Sequence, residues 1–313
     1  MRATCLNMVH ELARRDERVV FIGSDLSPGL LDGMRKEMPE RWFMEGVTEA
    51  NVIGMAAGLA MEGFLPYVNT IATFITRRCY EQVAVDLCLH RLPVRLLANG
   101  GGLVYAPLGP THLATEDIAI MRALPNMTVT AVCDAPEMTR LMQASLAWPD
   151  PMYIRFAKGG DRIISRQEGG FAIGSAIPLR RAQRARISIM ATGVMTTNCL
   201  AAAELLARDG IEASVVHFHT IKPLDGAAVL EFAHGAELVV TVEEGTRIGG
   251  FGSAVAEHLL EHGMVPPCVL RLGLPDAFPD KYGVQEDLFE LYGLKPEQIA
   301  ATISAAAKKA KVA

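Results

Sequence analysis

The sequence predicts two consecutive α/β domains with mainly parallel sheets, and three observations carry this. Short β-branched and aromatic runs alternate with small-residue helical runs along the whole 313-residue chain. A glycine- and arginine-rich stretch at 158–186 interrupts the alternation. The length suits two domains of about 150 residues each. The expected division is a first domain over 1–158, a linker over 159–186 and a second domain over 187–313.

In the first domain RVVFIG (18–23) is a β-rich run closed by Gly23 and Ser24, and RWFMEG (41–46) is another. Thr48 opens an apolar helix that Gly63 closes, and its hydroxyl is expected to cap the free N–H groups of the first turn. FLPYVNT (64–70) reads as a strand, 73–89 as one helix and LPVRLLAN (92–99) as a buried strand. NMTVTAV (126–132) and PMYIRFA (151–157) are strands, with a helix over 135–147 between them. The stretch 158–186 holds Gly-Gly twice and ends LRRAQRAR, which reads as a linker plus an edge hairpin. Beyond it ISIMAT (187–192), ASVVHFH (213–219), ELVVTVEE (237–244) and PCVLRLG (267–273) read as strands. Helices are expected from Gly193 to Leu206, over 249–263 and in the C-terminal tail.

Composition narrows the class. Half the residues are apolar and 21% are charged, so the chain can bury a core. A net charge of −5 gives no general attraction to nucleic acid or to an anionic membrane, and the arginines near 180 read as a solvated linker. No apolar run reaches the length of a membrane span, and the first residues lack the apolar core of a signal peptide. A cytoplasmic setting is expected. None of the six cysteines forms a Cys-x-x-Cys pair. Cys79 and Cys88, on one helix, would lie about 13 Å apart, too far to bridge. Buried thiols are the plain expectation, with no metal site in this chain.

A few residues could carry chemistry. Glu49 sits in the first turn of an almost wholly apolar helix, where the helix dipole favours a carboxylate. It could simply stabilise the helix, but a buried acid needs a further reason. Phe74 reads by itself as a helix aromatic in the core, and Tyr80 lies near the same face six residues on. His112 follows the tight turn Gly109-Pro110-Thr111, which presents an imidazole to a ligand or caps the helix after it. Arg155 ends the last strand of the first domain, the end of an open α/β sheet where active sites lie.

The stretch GVTEANVIGMAAGLAMEG (46–63) resembles the pyrimidine-binding domain of the transketolase and deoxyxylulose-phosphate synthase group. So do GSDLSPG (23–29), FLPYVNTIATFITRRCYEQV (64–83), GPTH (109–112) and MYIRFAKG (152–159), in order. VVTVEEGTRIGGFGSAVAEHL (239–259) and LGLPDAFPDKYG followed by LYGL resemble the C-terminal transketolase domain. The resemblance covers essentially the whole chain. It implies thiamine diphosphate as cofactor, with Glu49 sharing a proton with the aminopyrimidine N1′ and Phe74 stacking on that ring. It places Asp25, Leu26, Arg77 and Tyr80 near the cofactor, His112 on substrate oxygens, and Arg2 and Arg155 on the phosphate of a sugar substrate.

The departures from the family pattern bear on substrate. Transketolases usually carry aspartate directly before the G-P-T-H turn, whereas this chain has Leu108. A loop histidine is missing from NGGGLVYAP (99–107), and Arg77 stands where transketolase has an aromatic and the synthase group has arginine. The sequence also contains no G-D-G motif, which in the family holds the divalent metal and the diphosphate. The resemblance therefore implies the C-terminal (β) subunit of a split transketolase, moving a two-carbon ketol unit. A separate diphosphate-binding subunit would supply Mg²⁺ in an α₂β₂ assembly. Alternatives are a synthase-like enzyme, the β subunit of a 2-oxoacid dehydrogenase, and a non-catalytic partner-binding subunit. The donor, the acceptor and the pathway are not readable.

Overall fold

A computed structural model of the chain describes residues 1–24, 29–166, 170–183 and 186–309. The elements of the first half are α1 (Arg2–Arg15), β1 (Val19–Gly23), α2 (Asp32–Glu37), β2 (Trp42–Met44), α3 (Glu49–Met61) and β3 (Leu65–Ile71). There follow α4 (Ala72–Arg77), α5 (Tyr80–Gln82), β4 (Arg95–Asn99), α6 (Asp117–Ala123), β5 (Thr128–Ala131), α7 (Ala135–Ser145) and β6 (Met152–Phe156). The second half runs β7 (Ile177–Arg180), β8 (Ile187–Ala191), α8 (Met195–Arg208), β9 (Ala213–His217), β10 (Thr220–Lys222) and α9 (Gly226–Ala233). It ends with β11 (Leu238–Thr246), α10 (Phe251–Glu261), β12 (Cys268–Leu274), α11 (Gln285–Leu291) and α12 (Pro296–Lys309).

The first sheet has the order β10-β5-β6-β4-β3-β1-β2 and the second β12-β11-β8-β9-β7. All pairs are parallel except the two edge pairs, β10 on β5 and β7 on β9. Strands β1, β3, β4, β5 and β6 are buried along their whole length, as expected for a sheet covered on both faces. All six parallel strands of the first sheet therefore end at one edge, which is where the loops that carry chemistry begin. The two-domain α/β reading holds. Among the described residues, no helix is long and apolar enough to cross a membrane.

Three local expectations are corrected, and one strand pairing is unforeseen. The helix expected over 73–89 is broken: α4 stops at Arg77, Cys79 leaves helical geometry at φ −131 and ψ 24, and Val83–Leu89 is a π-helical segment. Thr76 contributes, because its hydroxyl bonds back to the carbonyls of Ala72 and Thr73. Thr48 precedes α3 but does not cap it; its hydroxyl donates to the Glu45 carbonyl instead. In place of an edge hairpin near 158–186, the described residues hold one strand, β7, which pairs with β9. Finally, β10 comes from the second half of the chain yet joins the first sheet. Its buried neighbours Phe218 and Ile221 share a hydrophobic cluster with Val129 and Met121 of the first half, which ties the two sheets together.

Candidate active site

Glu49 begins α3, directly past the carboxyl ends of β1 and β2, and its side chain is 5% exposed. One carboxylate oxygen lies 3.5 Å from the Thr70 hydroxyl at the end of β3, and that hydroxyl in turn accepts from Ser24. The other oxygen accepts from an Arg78 guanidinium N–H at 3.3 Å. Ser24, Glu49, Val52, Ile53, Val68, Asn69, Thr70 and Ile75 together line a small, mostly apolar recess. Among the described residues three polar side chains at this end of the sheet are buried without a hydrogen-bond partner: the amides of Asn69 and Asn99 and the hydroxyl of Thr73. Such groups cost free energy unless something meets them.

Phe74 on α4 is half-buried, and its ring meets His112 edge-on, with centroids 5.2 Å apart. The Arg78 guanidinium lies over the same ring, 3.8 Å from its centroid. The His112 Nδ1 is engaged by the Thr111 hydroxyl at 2.9 Å. Glu49, Phe74 and His112 are thus brought into one group, and Arg78 links the first two. Sequence reasoning picked Arg77 and missed Arg78. The available signal was helical spacing, since Arg78 is four residues past Phe74 and shares its face.

The other sequence-derived residues lie around or outside this group. Arg77 is exposed and pairs with Glu116, with a third contact to the Pro110 carbonyl. The Tyr80 hydroxyl donates to the Ile120 carbonyl at 2.8 Å, so it faces α6. Arg2 is half-buried at the start of α1 beside Tyr105, whose hydroxyl burial pushes up against the opposing pull of Arg2. Leu108 is 49% exposed beside the Gly109 turn. Asp25 and Leu26 lie outside the described residues.

Arg155 is buried at the seam between the sheets. Its Nε donates to Asp117 at 2.7 Å and its Nη2 to the Glu244 carbonyl on β11 at 2.6 Å. Burial works against its charge, but Asp117 and Glu244 outweigh it and hold the guanidinium protonated. Tyr153 donates to the same Asp117 oxygen. The Glu244 carboxylate accepts from the Leu103 N–H at 2.7 Å and from Gln285. This pins the loop between β4 and α6 to the second half of the chain. Gly102, at φ 70, is needed there: a Cβ would fall 2.3 Å from the Glu244 carboxyl carbon. Gly109 is held equally closely by the Tyr282 ring. Burial pushes Glu244 up to about 7, and Glu243, which accepts the N–H groups of Phe251 and Gly252, likewise.

Among the described residues one side-chain group has metal-ligating chemistry: Cys133, Glu137 and His217, all buried at the same seam. Glu137 already accepts from the Cys133 N–H and bonds His217, whose other nitrogen meets Thr196. A cleft of about 870 Å³ lined by Arg162, Arg166, Arg180 and Glu204 holds none of the residues named for chemistry.

Comparison with known proteins now bears on this group. The pyrimidine-binding domain of transketolase matches residues 1–160, and the transketolase C-terminal domain matches residues 177–299. The chain is 36% identical over 300 residues to a 6-deoxy-6-sulfo-D-fructose transketolase subunit of Clostridium sp. (strain MSTE9), covering 96% of this chain and 92% of the relative. It is 38% identical over 296 residues to the 1-deoxy-D-xylulose-5-phosphate synthase of Caldanaerobacter subterraneus subsp. tengcongensis, covering 94% of this chain but only 46% of the synthase. Among solved structures, a split gene transketolase described as an inactive beta4 tetramer matches with a TM-score of 0.88 and 33% identity over 97% of both chains.

Proposed function

This chain belongs to the transketolase family, and we propose that it is the pyrimidine-side (β) subunit of a split, thiamine-diphosphate-dependent transketolase. In this reading it moves a two-carbon ketol unit from a ketose to an aldose, and only together with a separate diphosphate-binding subunit. The observation that carries the reading is the buried Glu49 carboxylate joined through Arg78 to the half-buried Phe74 ring, with the unpartnered Asn69 amide lining the same recess as Glu49.

These residues fit the aminopyrimidine of thiamine diphosphate. When bound, the cofactor supplies an electron sink for breaking and forming the carbon–carbon bond next to the ketone. Glu49 would hold a proton at the ring nitrogen, in a recess whose apolar walls exclude water. Phe74 would fix the ring plane, and Asn69 would find a polar partner. His112, with Nδ1 engaged by Thr111, has Nε2 left for a substrate oxygen. Arg2 and Arg77 are the guanidinium groups assigned to the anionic end of a sugar. Arg155, spent on Asp117 and the Glu244 carbonyl, is assigned to holding the loop that carries His112. Mg²⁺ and the diphosphate are assigned to the partner, because the sequence has no G-D-G motif.

The donor class proposed is a ketose with an anionic end, phosphorylated or sulfonated; the relative from Clostridium is named for a sulfonated ketose. A synthase-like decarboxylating reaction is the second reading, favoured by Arg77, which the resemblance aligns with the synthase arginine. A donor panel decides between them. The two subunits mixed with thiamine diphosphate and Mg²⁺ should turn over ketose phosphates or sulfonated ketoses with an aldose acceptor. Turnover with pyruvate and none with any ketose would overturn the transketolase reading in favour of the synthase-like one.

A further inference from the structure

Arg78 makes two contacts that converge on one place. Its guanidinium lies 3.8 Å from the centroid of the Phe74 ring, a stacking distance. The same group donates an N–H to a Glu49 oxygen at 3.3 Å. A guanidinium is flat, delocalised and cationic, with N–H donors in its plane. An aminopyrimidine carrying a proton offers the same recognition features: a flat face for an aromatic ring and an in-plane N–H for a carboxylate. Among the described contacts, Arg78 alone meets both groups at once.

We propose that Arg78 sits in the seat of the cofactor's aminopyrimidine and has to swing out before the cofactor binds. This rests on the functional reading of Glu49 and Phe74 given above. The side chain can make that move. It is 47% exposed. It lies at the break between α4 and α5, where the backbone leaves helical geometry at Cys79. No other hydrogen bond or ion pair of its side chain is found among the described contacts. Neighbouring Arg77 is differently placed, since Glu116 and Pro110 hold it at the mouth.

The seated arginine acts as an internal competitor. The apparent affinity for the cofactor is the intrinsic affinity multiplied by the fraction of molecules with Arg78 swung out. A half-exposed ion pair and a cation–π contact together correspond to a population factor of about tenfold. The seated guanidinium also gives the buried Glu49 side chain an N–H partner before cofactor arrives. Seating also favours cofactor capture after the partner has docked, when contacts to the diphosphate add to those that must displace the arginine.

The test is direct binding of thiamine diphosphate to the two-subunit complex, with Mg²⁺ present, by titration calorimetry and stopped-flow fluorescence. Arg78→Ala should tighten the apparent Kd by about tenfold and speed association. Arg78→Lys, which keeps the charge but loses the plane, should fall between Ala and wild type. Unchanged or weaker binding in Arg78→Ala, with an unaltered melting temperature, would overturn the proposal, because Arg78 would then be neutral or helpful to the cofactor. A structure of the complex with cofactor on one face of Phe74 and Arg78 still on the other would overturn it equally. Failure of the wild-type complex to bind any cofactor would instead remove the functional reading on which the proposal rests, and the proposal with it.

Discussion

At the seam between the sheets, Arg155 is buried and bonded to Asp117 and to the Glu244 carbonyl, and Glu137 is buried and bonded to His217. At the carboxyl edge of the first sheet, Glu49 is as well buried, but its charged partner is the half-exposed Arg78, and Asn69 and Thr73 beside it have no partner. Residue types are alike in the two regions. The difference is that the seam supplies its own counter-charges from buried groups on strands and helices and leaves only single atoms unmet, such as Asp117 Oδ1 and Glu137 Oε1, while the edge relies on one long, half-exposed side chain and leaves the whole Asn69 amide and the Thr73 hydroxyl unmet. A chain can tolerate the cost of the second arrangement where another molecule is to complete it.

The comparison can be broken by substitutions in either region, and the largest effect is expected at the edge. In the two-subunit complex Glu49→Gln should lower the rate by at least about 100-fold while leaving the fold intact. A rate near that of the wild type would show that this carboxylate does not act on the cofactor.

At the seam the effect should fall on stability. Asp117→Asn strips the buried Arg155 of its carboxylate and should cost about 3–5 kcal/mol in chemical denaturation. A loss below about 1 kcal/mol would mean that the pair is not the fastening described.

A smaller effect should appear with pH. Glu243 and Glu244 have pKa values raised to about 7 by burial, against 4.5 ordinarily. The folded chain therefore binds more protons than the unfolded chain between pH 4.5 and 7, and their contribution falls as pH rises through that window. His219, which burial holds down to about 4, acts in the opposite sense between about 4 and its ordinary 6.5. The difference between variants isolates the carboxylate, because His219 is common to both: Glu244→Gln should lose less melting temperature than wild type between about pH 4.5 and 7, by a few degrees. Parallel profiles would contradict the assignment. Glu137, held down to about 2 because His217 outweighs burial, adds nothing in this window; its contribution is lost only below pH 4.5.

The smallest effect is on preference. Leu108→Asp, at the exposed mouth beside Gly109, should shift acceptor use toward 2-hydroxyaldehydes by a few-fold in kcat/KM. An unchanged acceptor profile would show that this position does not read the substrate.

Much of the edge was legible because it lies where strong patterns end. Glu49 heads an almost wholly apolar helix, Phe74 follows a fully buried strand, and His112 follows a turn that only glycine and proline make cheaply. What stayed hidden depended on non-local geometry. Helical spacing sets Arg78 on the Phe74 face, but its reach to Glu49 depends on how α4 docks beside α3, which no periodicity shows. Strand β10 is three residues long and pairs across the two halves of the chain, so nothing in its own sequence marks it. Arg155 ends the strand where it was expected, but its counter-charge comes from the first residue of α6, 38 residues earlier in the chain. The helix α1 was legible in principle: Cys5, Leu6, Val9, Leu12 and Ala13 bury one helical face.

The central claim is that this chain holds the pyrimidine half of a site completed by another subunit. The most direct measurement is transketolase turnover with thiamine diphosphate and Mg²⁺, taken for the purified chain alone and during titration with its diphosphate-binding partner. The account predicts no turnover alone and activity that saturates at one partner per chain. Turnover by the purified chain alone would contradict it.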